Sequence, residues 1–267
     1  MRKYQVCSVS VVIPFYNAAS SISAALLSVF AQTLLPQEII IVDDCSCEGE
    51  SLLLRKIVDD FNSDSNCKII IKLSTLDYNK GASCARNVAI KEASAKYLAF
   101  LDADDVWARK KIELQYNFME TNSFFMTGHG YIFDLKKENI VDEAFSYSEV
   151  NKYQFIYTNP FFTPTIMVRR EGFRLFDESF RRVDDYKCWL ENFDYGNIAI
   201  IHNKLAGGFK HPIGAGGLTG SLSKMHSAYI NVLKSLYKEK VISTPFYCLA
   251  KLVEFLKYPL RIIRTKI

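Results

Sequence analysis

The sequence has no long apolar run and few residues that interrupt folded structure. No uninterrupted apolar stretch in the 267 residues approaches the ~20 that a membrane-spanning helix needs. Glycine (12) and proline (7) are scarce, so long disordered or low-complexity segments are not expected. The basic N-terminus enters a strand-like run with no small-residue cleavage site, and we predict no signal peptide. A single globular domain fits a chain of this length.

The cysteines do not form a recognisable framework. There are seven, an odd number, scattered from Cys7 to Cys248. In a chain this long, that pattern argues against a disulfide scaffold and favours a reducing cytoplasm. Cys45 and Cys47 are close together but have no partner His or Cys residues at zinc-ligand spacing, so a zinc site is not expected.

Positive charge is concentrated at the C-terminus. The formal net charge is +4, but residues 224–267 alone carry nine Lys or Arg against two acids, leaving the remainder negative. A local surplus of this kind indicates an anionic surface partner rather than nucleic acid. The sequence FYCLAKLVEFLKYPLRIIRTKI is typical of a helix lying in a bilayer interface. The alternative is a terminal helix packed on the domain with a solvated basic face.

Short β-branched runs alternate with helical patterns through the first hundred residues. The predicted strands are VCSVSVVIP, EIIIVDD, KIIIKL and KYLAFLDADD. Apolar spacing predicts a helix capped by Ser20 or Ser21 and another over Leu54–Phe61, and GASCARNVAIKEA predicts a third. Strands that are apolar on both faces and alternate with helices indicate an α/β fold with a parallel, helix-covered sheet.

The second half of the chain alternates less regularly. FFMTGHGYIF, TPTIMV and IAIIHN predict further strands, and DDYKCWLENF predicts a helix. No linker rich in Pro, Gly or Ser divides the two halves, so we expect this half to complete the same sheet.

Polar clusters follow three of the predicted strands. They are Pro14, Phe15, Tyr16 and Asn17; Asp43 and Asp44; and Asp102, Asp104 and Asp105. In open α/β sheets, ligands bind where the carboxyl ends of strands converge. Each cluster alone is more often a turn or a helix cap, but three at one edge favour a site. Three carboxylates in four positions at the end of a buried strand also require a cation nearby.

The blocks SVVIPFYN, IIIVDDCS, NKGASCARNVAI and YLAFLDADD, in this order, resemble the family 2 glycosyltransferases of the GT-A fold. The resemblance covers roughly Val9–Val106. It implies a Rossmann-like GT-A domain over residues 1–220, with a mostly parallel mixed sheet. Residues 1–106 would be the nucleotide-sugar-binding half and residues 107–220 the acceptor-side half. A tail of basic amphipathic helices would follow at residues 221–267.

The resemblance also implies a donor pocket at these strand ends. The residues that would line it are Pro14, Tyr16, Asn17, Asp44, Lys80, Gly81, Arg86 and Asp102. Asp44 would accept a hydrogen bond from the pyrimidine base. The block from Lys80 to Arg86 combines a flexible backbone with a helix N-terminus, which suits a diphosphate. The alternative for Arg86 is an ion pair with an acid on a neighbouring helix.

A divalent ion would neutralise the charge that develops on the departing nucleoside diphosphate. Mn²⁺ and Mg²⁺ prefer oxygen ligands from one or two carboxylates, with phosphates completing the shell. By resemblance, Asp104 would be the main ligand, Asp102 would face the ribose or the metal, and Asp105 would support them. His211 would be a third ligand, although a lone His is more often an ordinary polar residue.

Inverting sugar transfer needs a base for the acceptor hydroxyl. Family members carry an acidic pair, usually Glu-Asp, at the start of a helix, and RRVDDYKCWL offers Asp184 and Asp185. We predict that Asp185 is the base and that Asp184 positions it. Asp184 departs from the usual Glu, and the pair could alternatively serve only as a helix N-terminal cap.

The predicted protein is therefore an inverting, metal-dependent glycosyltransferase that favours a UDP-sugar donor. Its acceptor would be a glycan or a lipid-linked oligosaccharide in surface polysaccharide biosynthesis. The basic tail would hold it against the inner face of the cell membrane. No nucleic-acid partner is expected.

Two alternatives belong to other functional classes. LAFLDADDV also resembles the D-x-D-x-V motif of haloacid-dehalogenase-type phosphatases, and Val183–Asp185 could mimic their metal-binding pair. However, that motif normally ends a first strand, and three strand-helix units precede it here. A non-catalytic nucleotide-sugar binder on the same fold is the second alternative.

Overall fold

A computed structural model describes residues 5–63, 69–136, 138, 144–208 and 221–265, with side chains described as far as residue 262. The first half consists of β1 (Val6–Phe15), α1 (Ala19–Phe30), β2 (Leu35–Asp43), α2 (Glu48–Asn62), β3 (Ile70–Thr75), α3 (Ala82–Glu92) and β4 (Tyr97–Phe100). β1 pairs in parallel with both β2 and β4, and β2 pairs in parallel with β3. The predicted parallel, helix-covered half is confirmed.

The second half completes the same sheet. It contains β5 (Asp105–Trp107), α4 (Lys111–Asn122), β6 (Met126–Ile132), β7 (Tyr147–Glu149), β8 (Met167–Arg169), α5 (Asp184–Glu191) and β9 (Ile198–Gly208), with 3-10 helices at Lys152–Ile156, Thr163–Thr165 and Phe193–Tyr195. The strand order is β3-β2-β1-β4-β8-β6-β9-β5, and β7 pairs with β9. Because β8 is antiparallel to both β4 and β6, the sheet is mixed.

Two of the predicted strands are shorter than expected. β4 ends at Phe100, and the chain turns before it resumes as β5 at Asp105, antiparallel to β9. The segment Thr163–Thr165 is a 3-10 helix, so β8 starts only at Met167. Pro164 explains this difference, because proline cannot donate a ladder hydrogen bond and its fixed φ suits the first turn of a helix.

The helix α4 was not predicted. Its buried face includes Lys111 and Gln115 beside Ile112, Phe118 and Met119. Two polar residues on the inward face remove the apolar periodicity by which an amphipathic helix is recognised.

Side chains on the two faces of the sheet enter separate cores. Val11 and Ile13 of β1 pack in the core covered by α1 and α2. Val12, between them, packs in the core that contains side chains of α3 and α5. The strands are thus buried on both faces, as their continuous apolar sequences predicted.

Two long helices end the described chain, α6 (Leu222–Lys238) and α7 (Thr244–Thr265). Val232, Leu233 and Leu236 of α6 are fully buried in the core that α5 shares, as is Ala250 of α7. The beginning of the tail therefore packs on the domain, whereas the division of the chain after residue 220 stays a prediction. No helix among the described residues is long and apolar enough to cross a bilayer.

Candidate active site

The first two predicted clusters meet at one edge of the sheet. Phe15 at the end of β1 lies in register with Asp43 at the end of β2. The Asn17 amide N–H donates to Ser46 Oγ at 2.9 Å, and the Cys47 N–H donates to Asn17 Oδ1 at 2.9 Å. These bonds fix the loop after β1 against the loop after β2. Asn17 adopts a positive φ of 46°, a conformation that asparagine tolerates better than most residues.

Asp44 anchors the loop that leads into α3. Its Oδ1 accepts a hydrogen bond from the Lys80 N–H at 2.6 Å, and its Oδ2 accepts one from the Gly81 N–H at 2.8 Å. The side chain is buried. Gly81 has a φ of 95°, which side chains with a Cβ rarely adopt, so glycine is required for this turn. The contact of Asp44 with a base stays a prediction.

Pro14, Tyr16 and Lys80 lie around this edge. Pro14 is half-buried in β1, and Tyr16 directly after the strand is exposed. The Lys80 ammonium lies 4.6 Å from the centre of the Tyr78 ring. The Lys80 ammonium and the Tyr78 ring thus lie beside the loop that Asp44 anchors.

Arg86 links two of the predicted acids. Its Nη2 lies 2.8 Å from Asp102 Oδ1, and its Nη1 lies 3.6 Å from Asp184 Oδ2. Burial alone would lower the pKa of Arg86, but the charges of Asp102 and Asp184 outweigh it and raise the pKa. The ion pairs that were considered as an alternative are therefore present, and contact with a diphosphate stays a prediction.

The acidic pair, Asp184 and Asp185, begins α5 and directly follows a residue with a strained backbone. Val183 has φ 59° and ψ 16°, a left-handed conformation that is unfavourable for a β-branched side chain. Strain of this kind, on the order of 1–3 kcal/mol, is typical of functional sites. Ser83 Oγ donates to Asp184 Oδ2 at 2.6 Å. Asp184 is therefore held by α3 through both Ser83 and Arg86.

Asp185 is held in a different way. The Tyr186 N–H donates to Oδ1 at 2.7 Å, and Asn159 Nδ2 donates to Oδ2 at 3.0 Å. Burial of the carboxyl and the neighbouring charge of Asp184 raise the pKa of Asp185 from 3.8 to about 7. A carboxylate with this pKa is suited to accept a proton near neutral pH. Neither acid is the N-cap of α5, because Val183 occupies that position.

The third cluster divides into different environments. Asp105 is buried, and the Tyr131 hydroxyl donates to its Oδ1 at 2.7 Å. A Cβ on Gly208, opposite Asp105 in β9, would lie 2.4 Å from the same oxygen. Asp102 and Asp104 are only half-buried. Asp102 and Asp104 are thus the more accessible carboxylates, and the supporting role of Asp105 in a metal site stays a prediction.

The carboxylates of Asp102 and Asp104 suit a hard divalent cation by their chemistry. Mg²⁺ and Mn²⁺ sites of phosphate-transferring enzymes commonly use one or two carboxylates, with substrate oxygens and water supplying the other ligands. Within the described part of the chain, no three His, Cys, Asp or Glu side chains are grouped to hold a metal by themselves. His211, the predicted third ligand, lies outside the described residues.

Three residues at this edge were not anticipated from the sequence: Ser83, Asn159 and Arg181. Arg181 donates to the side chain and backbone oxygens of Asn79, at 2.7 and 2.9 Å, which ties the segment before α5 to the loop before α3. Arg181 lies three residues before Asp184 in RRVDD, and this closeness to the acidic pair could have identified it from the sequence. Nothing in the sequence identified Asn159, because it lies in a segment without periodic structure and far from Asp185 in sequence.

The sequence profile of the family described as "Glycosyl transferase family 2" matches residues 10–183. The chain belongs to this family. It is accordingly an enzyme of the glycosyltransferase class. The match runs from β1 to the residue before the acidic pair and so includes the donor half and the Asp102–Asp105 turn. Membership argues against the phosphatase alternative, as does the position of this turn after the fourth strand.

Two curated relatives come from Escherichia coli. WfgD, named as a UDP-Glc:alpha-D-GlcNAc-diphosphoundecaprenol beta-1,3-glucosyltransferase, is 33% identical over 195 residues, which are 73% of each chain. WfaP, which carries the same enzyme name, is 32% identical over 229 residues, 85% of this chain and 86% of its own.

Among solved structures, S. aureus TarS 1-349 in complex with UDP-GlcNAc superposes with a TM-score of 0.67 at 20% identity. The match covers 86% of this chain and 66% of that one. At this identity the likeness concerns the fold, and it confirms the predicted GT-A architecture.

Proposed function

We propose that this enzyme is an inverting, metal-dependent glycosyltransferase that moves a sugar from a UDP-sugar to a lipid-linked glycan acceptor in surface polysaccharide biosynthesis. The names of WfgD and WfaP, which describe a UDP-sugar donor and an undecaprenol-linked acceptor, support these substrates. The complex of TarS with UDP-GlcNAc supports the donor class. The reaction would take place at the cytoplasmic face of the membrane.

The environment of Asp185 is the observation that carries the proposal. Each oxygen of its carboxyl accepts a hydrogen bond from an N–H group. Burial and the charge of Asp184 raise its pKa to about 7. A structural helix-capping carboxylate would instead be stabilised in its charged form, and its pKa would fall. A carboxyl near half-ionisation at neutral pH can take a proton and release it again.

In a single displacement, Asp185 accepts the proton of the acceptor hydroxyl while that oxygen attacks the anomeric carbon. The bond from the anomeric carbon to the diphosphate oxygen breaks, and its electron pair leaves on UDP. Attack from the face opposite the leaving group inverts the anomeric configuration. Lys80 and Arg86 supply positive charge near the departing diphosphate. When bound at Asp104 and Asp102, Mn²⁺ or Mg²⁺ would supply electrostatic stabilisation of the leaving group.

The remaining predicted residues form the donor pocket. Asp44 and Gly81 set the conformation of the loop before α3, and the amino end of α3 suits an anionic diphosphate. Pro14, Tyr16 and Asn17 would contact the base from the loop after β1.

The test is a screen of UDP-, GDP- and dTDP-sugars with Mn²⁺ or Mg²⁺ and a synthetic acceptor, GlcNAc α-diphosphate esterified to a short alkyl chain. We expect transfer from a UDP-sugar with inversion at the anomeric carbon, observed by NMR of the product. Asp185→Asn should abolish transfer and retain nucleotide binding, whereas Asp104→Ala should weaken metal-dependent donor binding. Asp60→Asn, an exposed acid on α2, is the matched control.

Each alternative predicts a different result. A non-catalytic binder would be stabilised thermally by UDP-sugar, by mass action, with neither transfer nor hydrolysis. A phosphatase would release phosphate from a simple phosphomonoester without nucleotide. Transfer by Asp185→Asn at the wild-type rate would remove Asp185 as the base.

Membrane contact through the tail is part of the same proposal. α7 has an apolar stripe that packs on the domain, with Phe246 and Ala250 buried. A second apolar stripe on α7 is exposed and consists of Leu249, Leu252, Phe255, Leu256 and Leu260, with Phe255 71% exposed. A helix that buries one apolar stripe and exposes another suits an interface between protein and lipid.

The charges of α7 are arranged differently from the expectation of a basic lipid-facing surface. Arg261 pairs with Glu254 at 2.9 Å, and Lys257 hydrogen-bonds to the Tyr157 carbonyl, so both face the domain. The exposed stripe therefore supports apolar insertion more than charge attraction.

We expect Phe255→Ser/Leu256→Ser to reduce sedimentation with vesicles of phosphatidylglycerol and phosphatidylethanolamine, while Leu52→Ser/Leu53→Ser on the exposed face of α2 does not. Equal sedimentation of both double variants would exclude this mode of contact.

A further inference from the structure

Three aromatic side chains form a stack beside the Asp102–Asp105 turn. The rings of Tyr131 and Phe162 are stacked with centroids 5.2 Å apart, and Phe133 meets both of them edge to face, at 5.3 Å from Tyr131 and 5.1 Å from Phe162. Phe162 is 41% exposed and Phe133 is 37% exposed. We call these three residues the aromatic platform.

The platform is fixed to the predicted metal-binding turn on one side. The Tyr131 hydroxyl donates to Asp105 Oδ1 at 2.7 Å. After burial, the charges of Asp105, Asp102 and Asp104 each raise the pKa of Tyr131, which places its hydroxyl within electrostatic range of all three carboxylates. Tyr131 therefore stays a neutral hydrogen-bond donor, and moving its ring would cost the hydrogen bond to buried Asp105.

The platform is also joined to the proposed base by a short segment. Asn159, which donates to Asp185, lies three residues before Phe162, a span of at most about 11 Å. The Phe161 N–H donates to Asn159 Oδ1 at 3.2 Å. Phe161 itself is buried, and a Cβ on Gly128 would lie 2.3 Å from its ring, so the strand beneath leaves room only for glycine there. The same segment thus orients Asp185 and presents Phe162.

We propose that Phe162 of the aromatic platform binds the acceptor by stacking against the apolar C–H face of the sugar whose hydroxyl is deprotonated by Asp185. Phe133, whose ring is perpendicular to that of Phe162, would contact the edge of the same sugar. This inference rests on the proposed function and adds the residues that select a pyranose ring as the acceptor. A sugar stacked on Phe162 would be close to both Asp185 and the Asp102–Asp105 turn, because Phe162 is connected to Asp185 through Asn159 and to the turn through Tyr131. The acceptor hydroxyl would then lie between the base and the donor sugar.

The exposure of Phe162 and Phe133 leaves part of each ring accessible to a ligand. Ligand sites are lined mainly by hydrophobic and aromatic side chains, and the faces of aromatic rings offer both area and a preferred stacking geometry.

The test compares Phe162→Ala, Phe162→Leu and Phe162→Tyr with the wild type, using the best donor and acceptor pair from the screen above. We expect Phe162→Ala and Phe162→Leu to raise the acceptor KM about tenfold, because Leu keeps the apolar volume but lacks the flat face. Phe162→Tyr should keep the wild-type KM. The donor KM and the rate of UDP-sugar hydrolysis by water should change little in all three variants. Phe133→Ala should raise the acceptor KM by a smaller factor.

The control is Phe145→Ala. Phe145 is 43% exposed and belongs to a separate aromatic cluster with Phe118 and Tyr147. Its acceptor KM should equal that of the wild type. An unchanged acceptor KM in Phe162→Ala or in Phe162→Leu would overturn the proposal that the aromatic platform binds the acceptor. A parallel loss of donor binding would also overturn it, because it would indicate a structural role. If the wild type neither transfers nor hydrolyses any nucleotide sugar, the proposed function itself fails and the platform with it.

Discussion

Asn159 donates its side-chain N–H to the carboxylate of Asp185 across 3.0 Å, although 26 residues separate them in sequence. The two residues come together because the segment before the Thr163–Thr165 helix passes the start of α5. The bond fixes one oxygen of Asp185, and the Tyr186 N–H fixes the other. Asn159 is thus a positioning residue for the proposed base.

Asn159→Ala should shift the pH profile of the enzyme. A hydrogen bond to a carboxylate favours its charged form, so its loss raises the pKa of Asp185 further above about 7. We expect the acid limb of kcat/KM to move up by about one pH unit, with most activity recovered at high pH. Asn151→Ala, which removes the capping side chain of the neighbouring 3-10 helix, should lose stability but keep the wild-type pH profile. An acid limb that does not move would contradict the role of Asn159.

Asp185→Asn should stabilise the fold as it abolishes transfer. Because the pKa of Asp185 is higher in the folded protein than in the unfolded chain, its ionisation destabilises the folded state. This cost is absent below about pH 4 and is complete above about pH 7. We expect Asp185→Asn to raise the unfolding free energy by on the order of 1 kcal/mol at pH 8, less at pH 5. Asp184→Asn should be destabilising, because Asp184 pairs with Arg86. A pH-independent effect of Asp185→Asn would refute the shifted pKa.

The parallel half of the fold and its ligand edge could be predicted because their determinants are local in sequence. Continuous apolar runs specify strands buried on both faces, and the residues directly after them must lie at the carboxyl edge. Asp44, Gly81 and Arg86 do gather there. Their individual hydrogen bonds and ion pairs were harder to predict, because they depend on how the loops after β2 and β4 pack against the start of α3. The pair between Arg86 and Asp184 also depends on how the second half folds over this edge.

The parts of the site and of the fold that could not be predicted depend on contacts between segments that are distant in sequence or on polar residues in the core. Asn159 and Phe162 lie in a stretch without periodicity, and only the tertiary fold shows that one meets the base and the other stacks on Tyr131. α4 was missed because Lys111 and Gln115 occupy its buried face. Polar residues that are buried for packing or hydrogen bonding do not follow the binary pattern on which sequence analysis relies.

Arg86→Met should destabilise the enzyme strongly. The guanidinium is buried between Asp102 and Asp184, and its removal leaves two carboxylates together without their cation. Breaking a buried pair in this way typically costs about 3–5 kcal/mol. Urea unfolding should show a loss of this size for Arg86→Met and partial recovery in Arg86→Met/Asp184→Asn. Strictly additive effects of the two substitutions would show that Arg86 and Asp184 are not coupled.

Lys111 is an unusual lysine, because its side chain is fully buried and its Nζ has no hydrogen-bond partner among the described residues. Two effects on its ammonium compete. Burial disfavours the charged form and lowers the pKa of Lys111 well below its ordinary value. The Trp107 ring, whose centre lies 3.8 Å from Nζ, favours the charged form through a cation–π contact.

Lys111→Met decides which effect is larger. If burial dominates, Lys111 is neutral in the folded protein and protonated in the unfolded chain, so wild-type stability rises with pH up to about 10.4. Methionine fills a similar volume without a proton, so the variant should be more stable than the wild type by roughly 2 kcal/mol at pH 7, and the gain should shrink toward pH 10. Lys56→Met, on the exposed face of α2, should change stability by no more than about 0.5 kcal/mol. Destabilisation by Lys111→Met at pH 7 would mean that the ammonium is charged and that its contact with Trp107 outweighs the loss of hydration.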